Sequence, residues 1–364
     1  MIEQLVDRAL HTVSVPRPYR PSRTALDLQR RVPVVDLLVG TVLFRRTFLE
    51  AAGRGHVDLP RLRAGGVRLV GMSIATRFPD LRGTLSTLHF ATLGVPLSLL
   101  GSDRALVAHF VQRIDAWAGA SAGRFLVVRT RRDLDAVLTV DGPLGAFIGV
   151  QGGQALEDDP ANVEWLHQFG VRMLALAHVM DNPLAGSGSG ARGGGLTPLG
   201  ARVVAEMERV GILVDLAHAS SATIRDTVPR LRRPPALSHT GFVERAGRAS
   251  RWRRYAAATR NVRLADARLV AEAGGVVGIT YAVQLLGGDT VRDVVDTIRF
   301  ALDQLGPAHV ALGSDMDGAL RTVIDAAGVP LITDGLLAAG VPEDDVVAVL
   351  GGNALRLLRE ALPA

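Results

Sequence analysis

Residues 194–220 read GGLTPLGARVVAEMERVGILVDLAHAS. Within this stretch Thr197 to Val210 sets apolar residues at three- and four-residue steps, the period of a helix packed on one side. Gly211 to His218 (GILVDLAH) follows as a short apolar run that closes on a histidine. A run apolar on both of its faces, arriving straight after an amphipathic helix, is how a buried parallel strand looks in sequence. The unit is one helix and one strand.

That unit recurs. Comparable runs are Pro33 to Gly40, Val67 to Ala75, Ala146 to Gly152, Val171 to His178, Pro235 to His239, Gly274 to Tyr281 and His309 to Asp315, which makes eight with Gly211 to His218. Helical spacing fills Asp103 to Gly119, Asn261 to Ala273 and Thr290 to Leu305 between them. Eight β/α units in one chain predict an α/β fold of the (β/α)8 TIM barrel type rather than an open doubly wound sheet. The expected organisation is a single domain over residues 1–364, with an N-terminal arm (1–32) and closing helices (340–362).

In such a barrel the C-terminal strand ends share one mouth, where catalytic groups gather. Gln151, His178, His218, His239 and Asp315 stand at those ends. A lone histidine at one of these places is more often a satisfied core residue; three at three strand ends point to a site. The glycine run Gly186 to Gly195 (GSGSGARGGG) follows the fourth strand and reads either as a flexible connector or as a mobile lid over that mouth.

Composition narrows the chemistry. All 41 basic side chains are Arg, there is no Lys and no Cys, and nine His are present. Schiff-base lysines, P-loop lysines, carbamoylated lysine bridges, thiolate nucleophiles and disulfides are excluded. An apolar content of 48% supplies a core, and a net charge of +5 is small for this length. No nucleic-acid partner is expected; the basic-aromatic cluster Arg251, Trp252, Arg253 and Arg254 reads as an Arg-rich loop or helix face. Met1 to Leu10 carries Glu3 and Asp7 and lacks a signal-peptide pattern, and no run is long enough to span a membrane. A soluble cytoplasmic protein is the expectation.

Several blocks together resemble the membrane (renal) dipeptidases, peptidase family M19, zinc-dependent barrels of the amidohydrolase superfamily. They are HVDLPRLRAGGV (56–67), IGVQGGQALED (148–158), FGVRMLALAH (169–178), GGLTPLG running into DLAHAS (194–220), PALSHT (235–240), TRN (259–261), HVALGSDMDG (309–318) and GVPEDDVVAVLGGNALRLL (340–358). The resemblance implies two zinc ions. One would sit on a His and an Asp of a D-x-H-x-D block in strand one, the other on the histidines of strands five and six, with a strand-three Glu bridging them.

Here the strand-one positions are Leu38 and Gly40, and the bridging position is Gln151. Three of the five implied ligands are therefore lost, and a neutral amide does not balance two dications. A binuclear centre is not expected. His218 and His239 match the second metal's ligands, so the cofactor expectation is one divalent metal (zinc), completed by Asp315, or none. By the same resemblance His178 holds the tetrahedral intermediate, Arg260 meets the substrate's carboxylate and Asp315 is the general acid/base. Leu38 and Gly40 would leave an apolar wall and a space in place of a metal. Asp36 reads as a strand-end hydrogen-bonding residue and Asp317 as an orienter of the turn after Asp315. His11, His56, His89, His109, His167 and His309 read as structural or surface residues.

The implied function is a diverged dipeptidase-family enzyme acting, in biosynthesis, on a dipeptide-like or amino-acid-derived small molecule with a carboxylate, by acid/base chemistry. A zinc dipeptidase with an altered metal site, and a non-catalytic ligand-binding or scaffolding protein, are the alternatives. The resemblance also implies a homodimer.

Overall fold

Each of the eight apolar runs forms a strand of one parallel sheet: β1 (Val34–Val39), β2 (Val67–Ala75), β3 (Leu144–Gln151), β4 (Val171–Ala175), β5 (Leu213–Asp215), β6 (Ala236–Thr240), β7 (Val276–Ile279) and β8 (Val310–Leu312). The structure is a computed structural model and describes residues 2–80, 84–248 and 257–364; the Arg251–Arg254 cluster lies outside the described residues. Neighbours in sequence are neighbours in the sheet, and β8 returns to pair with β1 through Asp36 and Leu312, which closes the (β/α)8 barrel. The longest ladder joins β2 to β3, residue for residue from Leu69–Gly145 to Ala75–Gln151. A further strand, Phe125–Val127, pairs with the start of β3 where β4 has not yet joined.

The strands are apolar on both faces because both are covered. Every residue of β1 and of β3 is buried. Outward-facing side chains meet the helix layer, while Val35, Leu37, Leu69, Phe147, Met173 and Leu213 belong to a second cluster that includes Ala354, Leu357 and Leu358 of the last helix. The Phe147 ring needs a neighbour without a side chain: a Cβ on Gly71 would come within 2.6 Å of it and 2.1 Å of the Leu37 carbonyl oxygen. Burying a large apolar side chain stabilises by roughly 1.5–3 kcal/mol, so this filled lumen is a main support of the barrel.

Local chemistry sets the helix ends. Val291–Leu305 begins in a capping box between Thr290 and Asp293, buries Val294, Val295, Ile298 and Ala301, and stops at Gly306, whose φ is +83°. Pro198–Val210 starts from a Thr197 cap with proline in its first turn and ends on Gly211 at φ +86°.

The closing helices expected over 340–362 are one continuous helical run. Glu343–Val347 passes through a π-helical turn at Ala348–Gly352 directly into Asn353–Ala361. The turn lets backbone approach backbone, since a Cβ on Gly351 would lie 2.0 Å from the Pro33 carbonyl oxygen. At the other end, the N-terminal arm carries helices Ile2–Leu10 and Arg23–Arg31. Between them Ser14 and Val15 donate backbone N–H bonds to the carbonyls of Thr322 and Val323, tying the arm to the segment after β8.

Candidate active site at the barrel mouth

The strand ends deliver their polar residues to one cavity of about 640 Å³. Gln151, His178, His218, Arg260 and Asp315 line it together with Leu38, Gly40, Leu43, Phe44 and Phe78. His239 lies just behind, with its Nε2 3.2 Å from the Nε2 of His218 and 3.9 Å from Asp315 Oδ2. His178 completes a row of three rings, its centroid 4.6 Å from that of His218. The residues singled out from the sequence are therefore brought together.

β5 and β8 are short, and the functional residues stand three positions beyond them. There the backbone turns sharply, and His218 and Asp315 adopt φ of +64° and +60°, a left-handed conformation unusual for non-glycine residues. Asp36 does what its strand-end reading requires: its Oδ1 accepts the N–H groups of Leu38 and Ser314, joining β1 to β8 under the mouth.

The glycine run is not a loose connector, and its Ser189 lines the cavity. It folds back on itself and grips the histidines: Ser187 Oγ donates to the His178 carbonyl at 2.5 Å, and the Gly188 N–H donates to the His218 carbonyl at 2.7 Å. Asp181 accepts from the N–H groups of Ser187 and Arg192. The glycines serve close approach, since a Cβ on Gly186 would lie 1.9 Å from the Gly194 carbonyl oxygen and one on Gly188 2.6 Å from that of Thr259.

Burial sets the electrostatics. It pushes the Asp315 carboxyl up to about 7, with the Arg260 guanidinium pulling the other way and Asp36 adding to the rise. Burial, then the charge of Arg260, pulls His178 down to about 3 and holds His218 and His239 well below the usual imidazole range. All three rings are neutral at pH 7. Arg260 itself is lowered to about 10 by burial, with Asp315 and Asp215 opposing. Its Nη2 donates to the His239 carbonyl at 2.9 Å, and its Nη1 is buried without a partner.

His239 is held by a relay absent from the sequence reading. Its Nδ1 lies 2.8 Å from Ser238 Oγ, which in turn donates to Asp215 Oδ2 at 2.5 Å. With the hydroxyl proton given to Asp215, Ser238 receives the Nδ1–H of His239, and the Nε2 lone pair of His239 accepts from His218 Nε2 at 3.2 Å. The Nδ1 of His178 is buried without a partner. Protonated, that nitrogen can hold an oxyanion; unprotonated, it accepts.

The donor set does not fit a paired-metal centre. Leu38 offers no donor and Gln151 only a neutral amide, and position 40 is closed to any side chain: a Cβ there would stand 2.5 Å from the carbonyl oxygen of Asp317. The space expected at Gly40 is filled by the turn after β8. For a single ion, two imidazoles converge, but among the described residues no three His, Cys, Asp or Glu side chains are grouped to hold a metal.

Asp317 is more than a turn orienter. Burial pushes it up, but the Arg46 guanidinium outweighs this, and with His11 and His56 nearby holds it down at about 2. Arg46 Nη1 donates to Asp317 Oδ2 at 2.5 Å and Arg46 Nη2 to Asp7 Oδ1 at 2.5 Å, which links the arm to the turn that carries Asp315. His11 donates from Nδ1 to Asp7 and accepts the Ala319 N–H at Nε2, while His56 accepts the Asp317 N–H. These two are structural, as read; His89 instead lines the cavity with Phe78 and Gln284, none of which carried a signal in sequence. Asp215 did carry one, as a carboxylate inside an otherwise apolar strand.

Comparison with known proteins follows the same lines. Residues 22–363 match the model of the membrane dipeptidases, peptidase family M19. Dipeptidase aclJ of Aspergillus oryzae is 32% identical over 227 residues, covering 60% of this chain and 51% of its own length. Dipeptidase verJ of Clonostachys rogersoniana is 27% identical over 316 residues, covering 83% of this chain and 75% of its own. The chain thus spans about half of the first relative and three quarters of the second. Among solved structures, that of the metallo peptidase dipeptidase AC shares the fold, with a TM-score of 0.76 and 24% identity over 92% of this chain and 99% of its own.

Proposed function

The chain belongs to the membrane dipeptidase family, peptidase family M19, and from that premise we propose that it is an enzyme acting on a dipeptide-like or amino-acid-derived carboxylate through protein acid/base chemistry. Asp315 takes and returns the proton. Arg260 holds the substrate's carboxylate through its unpaired Nη1, and His178 lines the same cavity with its Nδ1 unpartnered. His218 and His239 complete a neutral polar wall.

The observation that supports this most is the placement of one carboxyl, Asp315, in a largely apolar cavity that also holds a buried guanidinium with a free donor. A carboxyl in such surroundings is suited to general acid/base work near neutral pH. Without a paired-metal hydroxide, hydrolysis of an unactivated amide is hard, so an easier hydrolysis, an isomerisation, a cyclisation or an elimination suits the site better.

The test is kinetic. On a panel of carboxylate-bearing dipeptides and amino-acid derivatives, Asp315→Asn lowers kcat by about 100-fold or more, the scale of a positioned acid/base group, while Arg260→Gln acts mainly on KM. Unchanged turnover in both variants would overturn the assignment.

A further inference from the structure

The cavity's polar atoms specify more than a carboxylate. Two side chains that line it each carry a buried, unpartnered atom: Arg260 Nη1, a cationic donor, and Gln151 Oε1, a neutral acceptor on a side chain that is 9% exposed. Buried polar atoms without partners are costly, and a ligand that satisfies them is selected for it. A carboxamide both donates and accepts, so its natural partner is another neutral amide, met edge to edge by one N–H and one carbonyl.

What the cavity lacks is as specific. A free dipeptide brings an α-ammonium, which needs a carboxylate when taken out of water. Among the described residues the carboxylates lining the cavity are Asp315 and Asp317. Asp317 is committed to Arg46 at 2.5 Å. Asp315 is committed to the proton, on the reading above. Position 40 cannot carry a side chain and position 151 carries an amide, so no acid is left for an ammonium. The same cavity is lined by Leu38, Leu43, Phe44, Phe78, Leu93 and Leu320, an extensive apolar surface. A volume of about 640 Å³ is within the range of cavities that enclose ligands well beyond a bare dipeptide backbone.

We infer that the cavity receives an N-acylated amino acid, with its carboxylate on Arg260, its amide on Gln151 and its acyl chain along the Leu38–Phe44–Phe78 wall, in preference to a dipeptide with a free amine. This rests on the proposed roles of Arg260 and Asp315 and adds the substrate class.

A matched pair of ligands tests it. 4-Methylpentanoyl-leucine differs from leucyl-leucine only by lacking the ammonium, and calorimetric titration of both, each with L- and D-leucine at the carboxyl end, reads the preference directly. The acyl compound binds roughly tenfold or more tightly, the scale expected when an unpaired ammonium must be buried. Its methyl ester binds at least as much more weakly, and Gln151→Glu, which places an acid at the same position, reverses the preference toward the free amine. Equal or tighter binding of leucyl-leucine to the unaltered protein would overturn the acyl preference and leave the carboxylate role of Arg260 standing. If Arg260→Gln leaves the affinity of both ligands unchanged, the underlying function is overturned instead; binding of neither at millimolar concentration overturns both.

Discussion

The carbonyl oxygen of Asp317 occupies the place where a side chain at Gly40 would begin, 2.5 Å from an ideal Cβ. One backbone atom thereby separates two kinds of site, because a ligand-bearing residue at position 40 and the present turn after β8 exclude each other. Gly40→Ala is expected to destabilise by about 1–3 kcal/mol, the usual scale of overpacking, seen as a lower midpoint in thermal unfolding. The combined change Leu38→His, Gly40→Asp and Gln151→Glu then restores neither zinc binding nor peptidase activity. Stoichiometric zinc in that variant would show that the turn yields easily.

Metal content gives a second check. Protein prepared without added metal is expected to hold well under one equivalent of any divalent ion by plasma mass spectrometry, and chelation leaves turnover unchanged. An equivalent of zinc that disappears in His218→Ala would instead establish a mononuclear centre on His218 and His239.

Asp315 sets a pH dependence of both activity and stability. As the base it must be ionised, so kcat/KM rises with pH through about 7, and Asp315→Asn abolishes that limb. For stability the sign is opposite. The folded values of Asp315 and Asp36, about 7 and about 6, lie above the ordinary 3.8, so the stability these groups contribute is full below that value. It is lost as pH rises through about 6 and then about 7. Denaturant titrations of the unaltered protein and of Asp315→Asn should lie closest below pH 4 and diverge progressively up to pH 8, with the variant the more stable at the higher pH.

The glycine run offers a test of positioning. Gly188→Ala drives a Cβ against the Thr259 carbonyl and disturbs the N–H that holds the His218 carbonyl. Turnover should fall by about tenfold or more, in keeping with the sensitivity of catalysis to small displacements, while Arg192→Ala, exposed in the same loop and outside the cavity lining, leaves it near normal.

The arm is tied to the site by Arg46, whose side chain bridges Asp7 and Asp317. Arg46→Met leaves Asp317 buried without its guanidinium, while Asp7 keeps Arg54 and His11; loss of one partner of a buried pair costs about 3–5 kcal/mol in comparable cases. Asp317→Asn should cost less, since its N–H acceptor role to His56 survives in the amide. Equal thermal midpoints for all three proteins would deny the arm its anchoring role.

The barrel was legible because the strands are buried on both faces and run into polar or glycine-containing turns, a pattern that needs no distant information. His178, His218, His239 and Asp315 could be named for the same reason: order along the chain maps onto order around the mouth. The Arg46–Asp317 pair could not, because its members are 271 positions apart and no local period records that they meet. Gly186 to Gly195 misled in a different way. Glycine permits looseness and also permits close contact, and only the carbonyls of Gly194, Thr259 and His218 reveal which property is in use. Phe78 and His89 reach the cavity from a connecting segment whose path has no sequence periodicity.

Phe147 and its neighbours fill the lumen beneath the mouth, and this has a bearing on traffic. The barrel offers no passage to its far face, so whatever enters the cavity departs by the door it came through. A reaction that splits its substrate would release the two fragments in turn, the outer one first, and the one retained would compete with the next arrival. A rearrangement within one molecule meets no such queue, and product inhibition patterns therefore carry information about which kind of reaction this barrel performs.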